Sequence, residues 1–178
     1  MVKWLGLFMP KVLIIYDSRT GNTEAMANLV AEGAKEIEGV EVVVKRVDET
    51  EIQELLNYEG IIIGSPVYVG TMTSKIKGFM DQILTADPSK MYPLENKVGA
   101  AFCSLAGGAG AGGETTILSI LTFMLIEKMI VVGPEFKWGR LGAIVTGEPK
   151  SNYEIEMCKG LGRKVAKIVK KLYGNSKQ

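Results

Sequence analysis

Five short apolar runs, Val12–Tyr16, Val40–Val44, Ile61–Gly64, Val98–Cys103 and Met129–Val132, alternate with stretches of helical periodicity. Several are rich in Val and Ile without polar alternation, the pattern of strands covered on both faces. Met26, Leu29, Val30, Ala34 and Ile37 recur at helical spacing after the first run. Ile76, Phe79, Met80 and Ile83 mark a helix over residues 75–84, and a weaker helix is predicted over residues 51–57. Ile155, Cys158, Leu161, Val165, Ile168, Val169 and Leu172 form one long apolar stripe. Strand and helix in alternation imply right-handed crossovers, so an α/β domain wound doubly around one parallel sheet is expected. The chain has 178 residues, no internal repeat and no low-complexity linker, which reads as one domain.

The fourth helix stands apart. Between Ile117 and Ile126 only Ser119 and Thr122 are polar, so its apolar surface runs almost all the way round. One sheet buries one side of a helix, and the run is too short for a bilayer, which takes about 20 residues. No membrane partner is expected. The second side is expected to meet another copy, giving a homo-oligomer (a dimer or tetramer); burial under residues 136–146 is the alternative.

Lys and Arg number 21 against 20 for Asp and Glu, with no basic tail, so no nucleic-acid partner is expected. There is no histidine. That removes the commonest general base and metal ligand, so no metal site and no catalytic side chain is assigned. Cys103 and Cys158 form no Cys-x-x-Cys pair, which fits a reducing, cytoplasmic setting. Cys103 reads as a small buried hydrophobe. Lys164, Lys167, Lys170 and Lys171 read as a solvated face. Met9-Pro10-Lys11 is a natural domain start; residues 1–9 are expected to be an N-terminal extension and 10–174 the domain.

Three loops carry the chemistry. Ser18, Arg19, Thr20, Gly21, Asn22 and Thr23 follow the first strand and open a helix. A helix N-terminus offers free backbone N–H groups, the hydroxyls add donors, and Gly21 lets the backbone come close to a phosphate. No Gly-Lys-Ser/Thr follows, so this is not a P-loop. Taken alone, a plain strand-to-helix turn remains the alternative. The second loop runs from Gly64 through Ser65, Pro66, Val67, Tyr68, Val69 and Gly70 to Thr73. The third holds Ser104, Leu105, Ala106, Gly107, Gly108, Ala109 and Gly110 and ends at Gly113. Glycines this dense let backbone N–H groups face a flat ligand. Gly108, Gly110 and Gly113 also satisfy Gly-x-Gly-x-x-Gly, with Glu135 about 20 residues on. Residues 104–107 loosen the tight turn that motif needs, and three strands precede it, so the dinucleotide reading is set aside.

Ser-x-Thr-Gly-x-Thr at residues 18–23 resembles the FMN-phosphate loop of the flavodoxin-like superfamily. Gly-Ser-Pro at 64–66, Gly70 and Phe79-Met-Asp-Gln82 resemble the WrbA-type NAD(P)H:quinone oxidoreductases, over about Pro10 to Leu172. The resemblance implies a three-layer sandwich with a five-stranded parallel sheet in the order 2-1-3-4-5 and helices on both faces. It implies FMN, bound by residues 18–23, 65–70 and 104–110, with Tyr68 a stacking surface and the third loop on the pyrimidine edge. It implies an FMN-dependent oxidoreductase passing electrons from NAD(P)H to a quinone or similar small acceptor. The alternatives are a flavodoxin-type electron carrier, which would usually be acidic, and a flavin-free module on the same fold. Leu141–Gly147 resembles the segment after the fifth strand in the WrbA type. Two departures stand out: Glu127-Lys128 where those enzymes carry His, and Tyr92 but no Trp in residues 85–97. A receiver domain of two-component signalling is excluded, because Asp17 stands alone and the third strand ends in Gly64-Ser65.

Overall fold

The computed structural model describes residues 9–107 and 111–174. The extension expected over residues 1–9, Met9 apart, therefore lies outside the described residues, as do Gly108, Ala109 and Gly110. The elements run β1 (Lys11–Tyr16), α1 (Asn22–Lys35), β2 (Glu41–Arg46), β3 (Gly60–Pro66), α2 (Ser74–Asp81), β4 (Val98–Leu105), α3 (Gly113–Ile126), β5 (Ile130–Val131), β6 (Ala143–Thr146) and α4 (Asn152–Tyr173). The strands pair in parallel in the order β2-β1-β3-β4-β5, and β6 also pairs with β4. This is the order expected from the sequence.

The fifth strand is not continuous, which corrects the sequence reading. β5 pairs with the start of β4 (Val98↔Ile130, Gly99↔Val131), and β6 pairs with its end (Phe102↔Ala143 to Leu105↔Thr146). Two short strands share the fifth position, so residues 143–146 are part of the sheet rather than a segment after it. The ladder breaks where Pro134 supplies no N–H. It resumes at Ala143, just after Gly142, where a Cβ would run into the Ala101 carbonyl. The predicted helix over residues 51–57 is also corrected, to a 3₁₀ segment, Ile52–Asn57. Its buried residues, Ile52 and Leu55, are three apart, the spacing at which a 3₁₀ turn eclipses side chains.

Each inner strand divides its residues between two apolar layers. Leu13, Ile15, Ile61 and Ile63 face α2, α3 and the 3₁₀ segment; Val12, Ile14 and Ile62 face α1 and α4. A run apolar at every position is therefore still an alternating strand, with a core on either side. α1 and α4 pack so closely that a Cβ on Gly162 would meet the Val30 carbonyl, and one on Gly33 the Lys159 carbonyl. Ser151 caps α4, its Oγ accepting from Glu154 N–H at 3.3 Å while the Glu154 carboxylate accepts from Ser151 N–H at 3.0 Å. Among the described residues no helix is long and apolar enough to cross a membrane.

Candidate functional site

β1, β3 and β4 are neighbours, and the register Tyr16↔Gly64 and Pro66↔Ser104 ends them together. The three loops therefore open side by side at one edge. They are tied to each other by named contacts. Asp17 N–H donates to the Gly64 carbonyl at 3.1 Å, and Val67 N–H to the Ser104 carbonyl at 2.8 Å. The hydroxyls of Thr23 and Ser104, both buried, lie 2.6 Å apart, so α1 is pinned to the end of β4.

In the first loop, Ser18 is buried and its Oγ accepts from Gly21 N–H at 3.1 Å. Arg19, Thr20 and Gly21 are exposed and Asn22 is half-buried. Gly21 takes φ 91° at the N-cap of α1, and no side chain caps the helix. A Cβ there would meet nothing within 4 Å, so the space over the turn is open. Arg46, at the end of β2, donates from Nη2 to the Ser18 carbonyl at 2.8 Å and lies 5.6 Å from the Tyr16 ring centre. Burial, then the neighbouring Glu24 carboxylate, push the Tyr16 hydroxyl above its ordinary range, so it stays neutral.

In the second loop, Ser65 is fully buried; its hydroxyl donates to the Pro66 carbonyl at 2.8 Å and accepts from Thr73 N–H at 3.0 Å. It braces the loop from inside. Tyr68 and Thr71 exchange backbone hydrogen bonds of 2.8 and 3.2 Å around a two-residue turn, Val69–Gly70. Both turn residues have positive φ, 51° and 84°. A β-branched residue pays strain in that region. Val69 is nevertheless fully exposed, and Tyr68 is 40% exposed. In the third loop Ser104 and Leu105 are buried while Ala106 and Gly107 are exposed. Gly112, φ 98°, caps α3, and a Cβ there would collide with the Gly70 carbonyl. The second and third loops thus meet backbone to backbone.

Among the described residues no cluster of acidic or cysteine side chains could hold a metal. Burial pushes the Cys103 thiol up to about 12, so it stays protonated and inert, as a buried small hydrophobe should. Beside the third loop, where α3 begins, Glu114, Arg140, Leu141, Tyr153 and Met157 line a cavity of about 390 Å³. Arg140 Nη2 donates to the Tyr153 hydroxyl at 2.7 Å there. Neither this cavity nor Arg46 carries a sequence signal, because both are assembled across the fold.

The two departure positions meet far from the loops. Lys128 Nζ sits 4.1 Å from the Tyr92 ring centre, and Asn96 N–H donates to the Lys128 carbonyl at 3.1 Å. This is the start of β4; its end, with Ser104, is about 20 Å away at ~3.3 Å per residue. Within one chain, neither position reaches the loops.

The sequence profile of the flavodoxin family matches residues 14–113. The chain is 42% identical to a flavodoxin of Aquifex aeolicus over 166 residues, covering 90% of this chain and 88% of that one. It is 38% identical to an NAD(P)H dehydrogenase (quinone) of Archaeoglobus fulgidus, covering 92% of this chain and all of that one. That alignment spans 195 residues, more than the 178 of this chain, so the dehydrogenase has stretches without a counterpart here. Among solved structures, a flavodoxin from the domain Archaea superposes with a TM-score of 0.72 at 28% identity, covering 90% of this chain and 99% of that one. The chain belongs to the flavodoxin family. FMN is the cofactor of that family, and an open helix N-terminus with hydroxyl and amide donors but no lysine fits a phosphomonoester.

Glu127 ends α3, is buried, and one of its carboxylate oxygens has no partner among the described residues. Burial raises its pKa above the ordinary carboxyl range. The native state therefore binds this proton more tightly than the unfolded chain. The stability it supports is complete below the unfolded value, near 4.3, and declines as pH rises through the folded value. Glu127→Gln is expected to gain about 1 kcal/mol in urea unfolding at pH 8 and little at pH 4.

Proposed function

We propose that this chain is an FMN-dependent oxidoreductase that takes electrons from NAD(P)H and delivers them to a quinone or similar small acceptor. The observation that carries the reading is the match, along 92% of the chain, to a relative named NAD(P)H dehydrogenase (quinone). Three adjoining loops at one sheet edge support it. When bound, FMN supplies the two-electron chemistry; the protein supplies binding, orientation and electrostatics.

Residues 18–23 would take the phosphate. The uncapped N-terminus of α1 and the Thr20 hydroxyl would donate to it, with Arg19 adding charge. Residues 65–70 would border the ring system, with Tyr68 stacking, and residues 104–110 would offer backbone donors to its pyrimidine edge. Residues 10–174 form the working domain, and its setting is the cytoplasm.

A second reading, an electron carrier, has one observation in its favour. The alignment with the Aquifex flavodoxin spans 166 residues for 90% of this chain, so it needs few gaps. A net charge of +1 speaks against an acidic docking surface. The FMN-loaded protein is expected to oxidise NADH or NADPH rapidly with benzoquinone, followed by loss of absorbance of the reduced nucleotide. No oxidation, with ready electron exchange to a separate reductase, would make it a carrier.

The outer face of α3 would join two copies. Leu118, Leu125 and Ile126 are exposed there, whereas Met124 is fully buried and Phe123 is half-buried. Leu125→Glu with Ile126→Glu is expected to halve the particle mass or more in light scattering without lowering the thermal midpoint. A wild-type monomer at high concentration would contradict this.

A further inference from the structure

We propose that Arg46, outside all three loops, is the positioning residue that holds the first loop open to the phosphate of FMN. The inference rests on the placement of that phosphate over residues 18–23.

Arg46 Nη2 donates to the Ser18 carbonyl at 2.8 Å. In a trans peptide the carbonyl and the following N–H point in opposite directions. A Ser18 carbonyl pinned to Arg46 therefore turns the Arg19 N–H the other way. The peptide has an alternative orientation, in which its carbonyl would present a negative end to the anion. Arg46 removes that alternative before any ligand arrives, and the Ser18 side chain is fixed independently through Gly21 N–H.

Arg46 is itself held at both ends. Its guanidinium carbon lies 5.6 Å from the Tyr16 ring centre, and its backbone carbonyl accepts from the Thr50 hydroxyl at 2.8 Å. Nη1 lies 3.9 Å from the Glu24 carboxylate. Glu24 stands in the first turn of α1, the end that would receive the phosphate, where a bare carboxylate would repel it. One side chain thus orients a peptide and offsets an opposing charge. A planar fork of donors suits both tasks; an ammonium serves one at a time.

The test is a pair of fluorescence titrations of the apoprotein, with FMN and with riboflavin, which lacks the phosphate. Arg46→Met keeps the apolar stem and removes the fork. It is expected to weaken FMN binding roughly tenfold or more and riboflavin binding by less than about twofold. Arg46→Lys covers the case in which the Met variant fails to fold; it should still lower the ratio of riboflavin to FMN dissociation constants several-fold. Equal losses for the two ligands would make Arg46 merely structural and overturn the proposal. So would an unchanged FMN affinity, or a loss that vanishes in 1 M salt, which would signal diffuse charge rather than a hydrogen bond. Wild-type protein that binds riboflavin as tightly as FMN would overturn the placement of the phosphate itself, and Arg46 with it.

Discussion

In a parallel sheet each strand must be re-entered from the same end, and the site follows from that constraint. Every strand-to-helix loop opens at the carboxyl edge, and every helix begins there with backbone N–H groups that its own turns do not use; those of α2 and α4 are capped by Thr73 and Ser151, whereas α1 has no side-chain cap. With β1, β3 and β4 adjacent, three such loops are neighbours although Ser18 and Ser104 stand 86 positions apart in sequence. The register then sets their heights: Tyr16 lies opposite Gly64, and Pro66 opposite Ser104. The Phe102 ring lies where a Cβ on Gly64 would sit, so the glycine near the end of the third strand is packed all the same.

Hydroxyl groups at this edge divide into two sets. Those of Ser65, Thr23 and Ser104 are buried and spent on holding the loops: Ser65 within the second, Thr23 and Ser104 between the first and third. Thr20, with the backbone around Gly21, is left facing outward. Buried polar groups that bond only to each other make a rigid frame, because breaking any one bond leaves a partner unsatisfied. Donors on such a frame need little ordering when a ligand binds, which is where preorganised sites gain affinity. The close approach of Gly112 to Gly70 extends the frame to the second loop. The strained, exposed Val69 at its tip is the part of this edge least determined by packing.

The sequence made β1 to β4 and all three loops legible because their signals are local. An apolar run of Val and Ile, a following helix stripe and a Ser-x-Thr-Gly-x-Thr turn are each contained within a few residues. What it concealed depends on pairing at a distance. The halves of the fifth strand are recognisable only against β4, which pairs with Ile130–Val131 at one end and Ala143–Thr146 at the other. Ile52 and Leu55, three apart, suit an α-helix or a 3₁₀ turn equally well. A helix apolar all round has no readable inner face, so the burial of Met124 against the exposure of Leu125 and Ile126 could not be foreseen. Arg46 lies on no motif; its role appears only once β2 is placed beside β1 and the side chain reaches back across Tyr16 to Ser18.

We propose that these loops form one FMN site with the phosphate on the first. The most direct test is an amide chemical-shift map of ¹⁵N-labelled apoprotein titrated with FMN. The large perturbations are expected to fall together on Arg19–Thr23, Val67–Gly70 and Ser104–Gly113, with riboflavin reproducing the last two groups but not the first. Perturbations centred on the cavity beside Arg140 and Tyr153, with the first loop unmoved, would contradict it.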